Sequence, residues 1–181
     1  GRASAEGLQS LVEHPVMRSL EGHLDYRAAI ALEGQGMDLR LESDGLGLVS
    51  RLPAPMAKIA KQAWPIRVDI VPGQRFGGDL AASTLRRDDQ IRIRLRDDAQ
   101  IWLGRARDHP AEPMRLRSGV IAINSEPLLP AQGLAVSARL EHLSLDPWIG
   151  LLKGDGADAS GMLLPERLAI SAQRLRYGQR D

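Results

Sequence analysis

The segment LRLESDGLGLVSRLPAPMAKIAKQAWPIRVDI, Leu39 to Ile70, decides the fold. It opens with Leu39 and Leu41 against Arg40 and Glu42, and closes with Ile66, Val68 and Ile70 against Arg67 and Asp69. Successive side chains of a strand point to opposite faces, so both ends predict strands with one apolar and one wet face. Between them Pro53 and Pro55 stop the extended run. The spacing of Met56, Ile59, Ala60 and Ala63 then predicts a short helix that ends at Pro65. Lys58 and Lys61 fall toward its C-terminus, where the backbone dipole favours cations.

The same period of two recurs on both sides. Leu24, Tyr26, Ala28, Ile30 and Leu32 alternate with polar positions, and Gly34, Gln35 and Gly36 supply a turn back into Met37 and Leu39, which predicts an antiparallel hairpin. Downstream, Arg86 to Gln90 read as a polar turn, and Ile91, Ile93 and Leu95 alternate with Arg92, Arg94 and Arg96. Asp97 and Asp98 turn the chain into a strand with Ile101 and Leu103, and His109 to Pro113 form a loop. Met114 and Leu116 start a further strand, in which Gly119 marks a bulge that turns Ile121 and Ile123 inward. Leu134, Val136, Ala138 and Leu140 form another. In the tail Leu168 and Ile170 share a face, and Leu175 and Tyr177 resume after a slip. Two helices are expected besides the one after Pro53: Ala5 to Val12, and a short one with Asp146 as N-cap, Pro147 first, Trp148 on its surface and Lys153–Gly154 as its stop.

Eight or nine strands joined by short turns predict a mainly β protein, an antiparallel meander with a few short helices. At 181 residues and 43% hydrophobic the chain is long enough for a single β-rich unit, 1–181, with its own core. No run approaches the ~20 apolar residues that cross a bilayer. Cysteine is absent, which excludes disulfides, thiolate metal sites and cysteine nucleophiles. With 24 basic and 23 acidic residues the net charge is +1, so no broad field draws in nucleic acid, and 3% aromatics leave few platforms for stacking bases.

No catalytic constellation stands out. His14, His23, His109 and His142 are scattered, without ligand spacing, so no metal site is expected. Asp88–Asp89 and Asp97–Asp98 fit turns better than the paired acids of a glycosidase, because neighbours on a strand face opposite ways. The run Asp155 to Gly161 misses the acid spacing of a calcium loop. The glycines at 34, 36, 45 and 47 do not complete a dinucleotide fingerprint, and no Gly-x-Ser-x-Gly elbow occurs. Arg92, Arg94 and Arg96, with Arg86, Arg87, Arg105 and Arg107, are interleaved with Asp88, Asp89, Asp97, Asp98 and Asp108, which predicts a solvated face laced with ion pairs.

The run Ser43, Asp44, Gly47, Leu48, Leu52, Pro53, Pro55 and Lys58, and a second one at Leu143, Leu145, Asp146, Trp148 and Leu151, resemble motifs of the YhdP branch of the AsmA-like proteins. The family pattern has Leu directly after Ser-Asp, where Gly45 stands here with Leu46 following. The resemblance implies an excerpt of a much longer Gram-negative envelope protein, anchored in the inner membrane by a helix outside this chain and otherwise periplasmic. It implies a long twisted sheet bent into a groove that carries phospholipid toward the outer membrane, with no enzyme activity, cofactor or nucleic-acid partner. Strand parity nominates Ile30, Leu39, Leu41, Ile66, Val68, Ile70, Ile91, Ile93 and Leu95 as groove-lining residues. A β-rich interaction module of the envelope, working through strand edges or its arginine face, is the alternative. A hydrolase would require two carboxylates facing each other across a cleft.

Overall fold

The computed structural model describes residues 1–11, 18–33, 36–72, 87–107, 115–153 and 165–178. The turn at Gly34–Gln35, Val12, Arg86, the loop His109–Pro113 and the glycine-rich run 155–161 lie outside them. The chain is mainly β, with eleven strands and two helices in the described residues: β1 Arg2–Ser4, α1 Ala5–Leu11, β2 Leu20–Asp25, β3 Arg27–Glu33, β4 Gly36–Ser43, β5 Leu48–Ser50, β6 Ile66–Pro72, β7 Arg87–Leu95, β8 Ala99–Arg107, β9 Arg115–Ile123, β10 Gly133–Ser144, α2 Leu145–Lys153 and β11 Pro165–Arg176.

An open eight-stranded sheet carries the order β11-β10-β9-β8-β7-β6-β4-β3, and a small sheet the order β1-β2-β5. From β3 to β9 every pairing is antiparallel, as the alternation predicts. The last two pairings depart from the meander, because β10 runs parallel to β9 and β11 parallel to β10. No hairpin returns after Ile123. Asn124 adopts φ 48°, its N–H donates to Asp98 O at 2.7 Å, and the chain crosses the sheet before re-entering in the same direction at Gly133. The crossing is pinned by Ser125 Oγ, which donates to Ser137 O at 3.0 Å and lies 2.8 Å from Ser137 Oγ.

Five local expectations are corrected. The strand expected from Leu24 to Leu32 breaks at Tyr26, whose N–H and C=O both bond Gly1, so Leu24 enters the small sheet and Ile30 the large one. Residues 53–65 form turns and an isolated Ser50–Lys58 bridge instead of a helix. Asp88 and Asp89 lie inside β7, since β8 supplies Arg105 opposite Asp89. In β9 the irregularity falls at Arg117, between the pairs Gly104–Ser118 and Arg105–Leu116, two residues before Gly119. The tail pairs in unbroken register from Arg167 to Arg176, so Leu175 lies opposite Leu143 on the other face from Leu168 without any slip.

Two small cores hold the sheets. Ala5, Leu24 and Leu48 are buried together, with Leu20, Tyr26 and Ile66 against them. Ala99, Ile123 and Ala138 form the second core, with Met56, Leu95, Ile121 and Leu140 packed around it.

Candidate functional site: the apolar face of the large sheet

Directly opposed residues of paired strands point to the same side, so the registers trace rows across the sheet. One row runs Ala28, Leu41, Val68, Ile93, Ile101, Ile121, Val136, Leu168. The next runs Ile30, Leu39, Ile70, Ile91, Leu103, Gly119, Leu134, Pro165. A third, on the other side of the first, runs Ser43, Ile66, Leu95, Ala99, Ile123, Ala138, Ile170. Two rows are therefore without a single polar side chain across eight strands.

All nine residues nominated by parity share this face. Ile30 is 63% exposed, and Leu39, Leu41, Val68, Ile70, Ile91 and Ile93 are half-buried. Ile66 and Leu95 lie in the third row, which is covered: Ile66 packs under the small sheet, and Leu95 belongs to the core closed by Met56. Sequence reading omitted Ile101, Leu103, Ile121, Leu134 and Val136 from this surface, although their alternation is as clean as that of the residues it chose.

The opposite face is polar on β4, β6 and β7. Arg40 Nε donates to Asp69 Oδ1 at 2.8 Å, and Arg67 reaches Asp69 at 2.9 Å and Glu42 at 3.7 Å. Burial pushes the Asp69 carboxyl up, but the hydrogen bonds and charges of Arg40 and Arg67 outweigh it and hold the group below its ordinary value. Arg92 donates to Gln90 Oε1 at 2.9 Å and lies 5.0 Å from the Trp102 ring centre. The ion-pair lattice on this face is made by Arg40, Arg67, Glu42 and Asp69 rather than by the arginines around β7. Of that cluster, Arg96 sits in the β7–β8 turn, paired with Asp98 at 2.8 Å and over the Trp64 ring at 4.5 Å, and Arg105 pairs with Asp89 on the apolar side.

The motif after β4 builds the cover of the third row. Ser43 Oγ donates to Asp25 O at 2.6 Å and accepts the Gly45 N–H at 3.0 Å, while Asp44 Oδ1 accepts the Leu46 N–H at 3.0 Å. Gly45 has φ 69°, and a Cβ there would strike the Trp64 carbonyl. Lys58 is 3% exposed, not a helix-end cation: its Nζ donates to Leu48 O at 2.6 Å and to Ile59 O at 3.2 Å. Burial holds its pKa below the usual lysine range, with the Asp44 charge pulling weakly the other way. These bonds fold residues 51–65 back on β5 and hold Met56 on the second core. Helix α2 braces the same loop, since Trp148 Nε1 donates to Ala54 O at 3.1 Å. The helix starts at Leu145, and the Asp146 carboxylate accepts the Gly178 N–H at 3.0 and 3.2 Å, tying α2 to the end of β11.

Comparison with protein families matches the description "YhdP protein" over residues 1–181. The chain belongs to the YhdP family. Membership places it among the AsmA-like envelope proteins, a non-enzymatic family consistent with lipid transport. The YhdP motif residues of this chain are thus structural: Ser43, Asp44 and Lys58 make the loop, and Trp148 braces it. No curated protein and no solved structure matches the chain. Among the described residues no group of three or more His, Asp or Glu could hold a metal, and no helix is long and apolar enough to cross a membrane. His23 lies in β2 and His142 in β10, while His14 and His109 fall outside the described residues.

Proposed function

We propose that this chain is one length of a periplasmic trough that shields phospholipid tails on their way between the inner and outer membranes and performs no chemistry on them. The observation that carries this reading is the pair of uninterrupted apolar rows, whose side chains on β4, β6, β7 and β8 are half-buried and join neither core, whereas Ile66 and Leu95 of the third row pack into them. A methylene costs about 0.8 kcal/mol to expose to water, so a dozen cost roughly 10 kcal/mol. A mobile tail therefore requires a continuous dry track. Seven steps between eight strands at ~4.8 Å each give a track of about 34 Å. That is about twice the ~15 Å that one leaflet's tails occupy in a bilayer. The two open rows are only ~7 Å apart along the strands, so a tail lies across the strands, along the rows.

The test is native mass spectrometry with organic extraction of the purified chain after gel filtration, in which co-purifying phospholipid is expected. A lipid-free chain that instead binds another envelope protein in a salt-sensitive way would favour the interaction module. One observation favours that reading: both edge strands expose apolar side chains, Leu32 on β3 and Leu168 and Leu175 on β11.

A further inference from the structure

On β7 and β8 the apolar side ends in charge. One step beyond Ile91 and Leu103, on the same side of β7 and β8, Asp89 and Arg105 stand directly opposed. Arg105 grips the carboxylate through Nε at 2.9 Å and Nη2 at 2.6 Å, and Nη1 has no partner among the described residues. The aspartate side chain is 16% exposed and that of the arginine 33%, so the carboxylate is the inner member and the guanidinium the outer one. The pair is out of pattern. Arg40, Arg67, Glu42 and Asp69 make their ion pairs on the polar face, where they keep the sheet wet.

We infer that Arg105, oriented by Asp89, receives the phosphodiester of a phospholipid whose tails lie on the apolar rows. This rests on the trough reading and adds where the head sits. The covered third row walls one side of the track, and the opposite lip, where Arg105 stands about 7 Å from the nearest apolar row, is the side that offers a head group a cation. A guanidinium presents a planar fork that suits phosphate oxygens, and the neighbouring apolar surface strengthens a charge-assisted bond. Asp89 is a positioning residue: it fixes the guanidinium and cancels its charge, so the lip does not collect anions indiscriminately. The plainer role, a cross-strand pair worth ~0.2–1 kcal/mol to the sheet, does not require an open Nη1.

The test incubates the full chain with vesicles that contain phosphatidylglycerol and diacylglycerol of the same acyl composition, then measures the lipid retained after gel filtration. The wild type is expected to prefer the phospholipid by about tenfold, equivalent to ~1.4 kcal/mol. Arg105→Gln is expected to abolish the preference while still retaining diacylglycerol, and Asp89→Asn to weaken it. If Arg105→Gln fails to fold, Arg105→Lys, which keeps the charge and loses the fork, is expected to cut the preference at least by half. Equal retention of the two lipids by the wild type, or a preference unchanged in the Arg105 variants, overturns the head-group site and leaves the trough standing. Retention of neither lipid overturns both. Saturable binding of tail-free glycerol phosphate would assign the site to a soluble phosphate and overturn the lipid assignment.

Discussion

Replacing Lys58 by methionine keeps the length of the side chain and removes the two bonds its amine makes to Leu48 O and Ile59 O. Leu48 is buried, so its carbonyl loses a partner that water cannot replace, at a cost of about 1–3 kcal/mol. Ile59 is exposed, and water takes over there. The variant also escapes the burial of a charge, but an ammonium that already donates to two carbonyls has recovered much of that penalty. The net expectation is a loss of about 2 kcal/mol, read as a lower urea midpoint at constant m-value. A pH series adds a sign. Burial lowers the folded-state pKa of Lys58 below 10.5, so the folded chain binds fewer protons than the unfolded one in the window just under that value. Wild-type stability should therefore carry a component that rises as pH climbs toward 10.5, and Lys58→Met should lack it. Equal midpoints, or pH profiles that run parallel, would refute the clamp.

Three further outcomes follow from the same geometry. Ile93→Asp places a carboxylate between Val68 and Ile101 in the first open row; it should cost about 1–2 kcal/mol and remove most retained lipid, whereas Arg94→Asp on the polar face should retain it. Gly45→Ala should destabilise by about 2 kcal/mol or more in denaturant melts, because φ is 69° and the obstructing atom is backbone, while Gly150→Ala in α2, with open space around it, should stabilise by roughly 0.5–1 kcal/mol. Asp69 has a lowered folded-state pKa, so its contribution is present above about 3.8 and is lost as pH falls through the folded value; Asp69→Asn should flatten that part of the acid limb, by no more than about 1 kcal/mol since Arg40 is exposed.

The apolar face was legible because one side of the large sheet is wet: Arg40, Arg67, Arg92 and Arg94 interrupt the apolar residues at every second position, and that alternation survives in a single chain. What lay between the strands was less legible. Proline and apolar spacing after Leu52 satisfy a helix as well as they satisfy turns, and the choice is made by Lys58 reaching the Leu48 carbonyl and Trp148 reaching Ala54, 94 residues away. Asp88 and Asp89 read as a turn because the partner of Asp89, Arg105, is 16 residues on. The parallel return of β10 was hidden for the same reason. It depends on the connection 124–132 crossing the polar face, where Gly104 leaves room beside Leu129, and no local periodicity records that contact. The lysine of the motif was visible, but its burial was not, since a lone lysine between Ala57 and Ile59 reads equally as solvated.

Strand parity offers the sharpest measurement. A photoreactive amino acid is placed singly at Ile93, Arg94, Gln100 and Ile101 in the protein within its native envelope, irradiated, and the adducts identified by mass spectrometry. Phospholipid adducts are expected at Ile93 and Ile101, which stand opposite each other in an open apolar row, and not at Arg94 or Gln100 one residue away on the polar face. Adducts at all four positions alike, or at Arg94 and Gln100 instead, would contradict an apolar track on this side of the sheet.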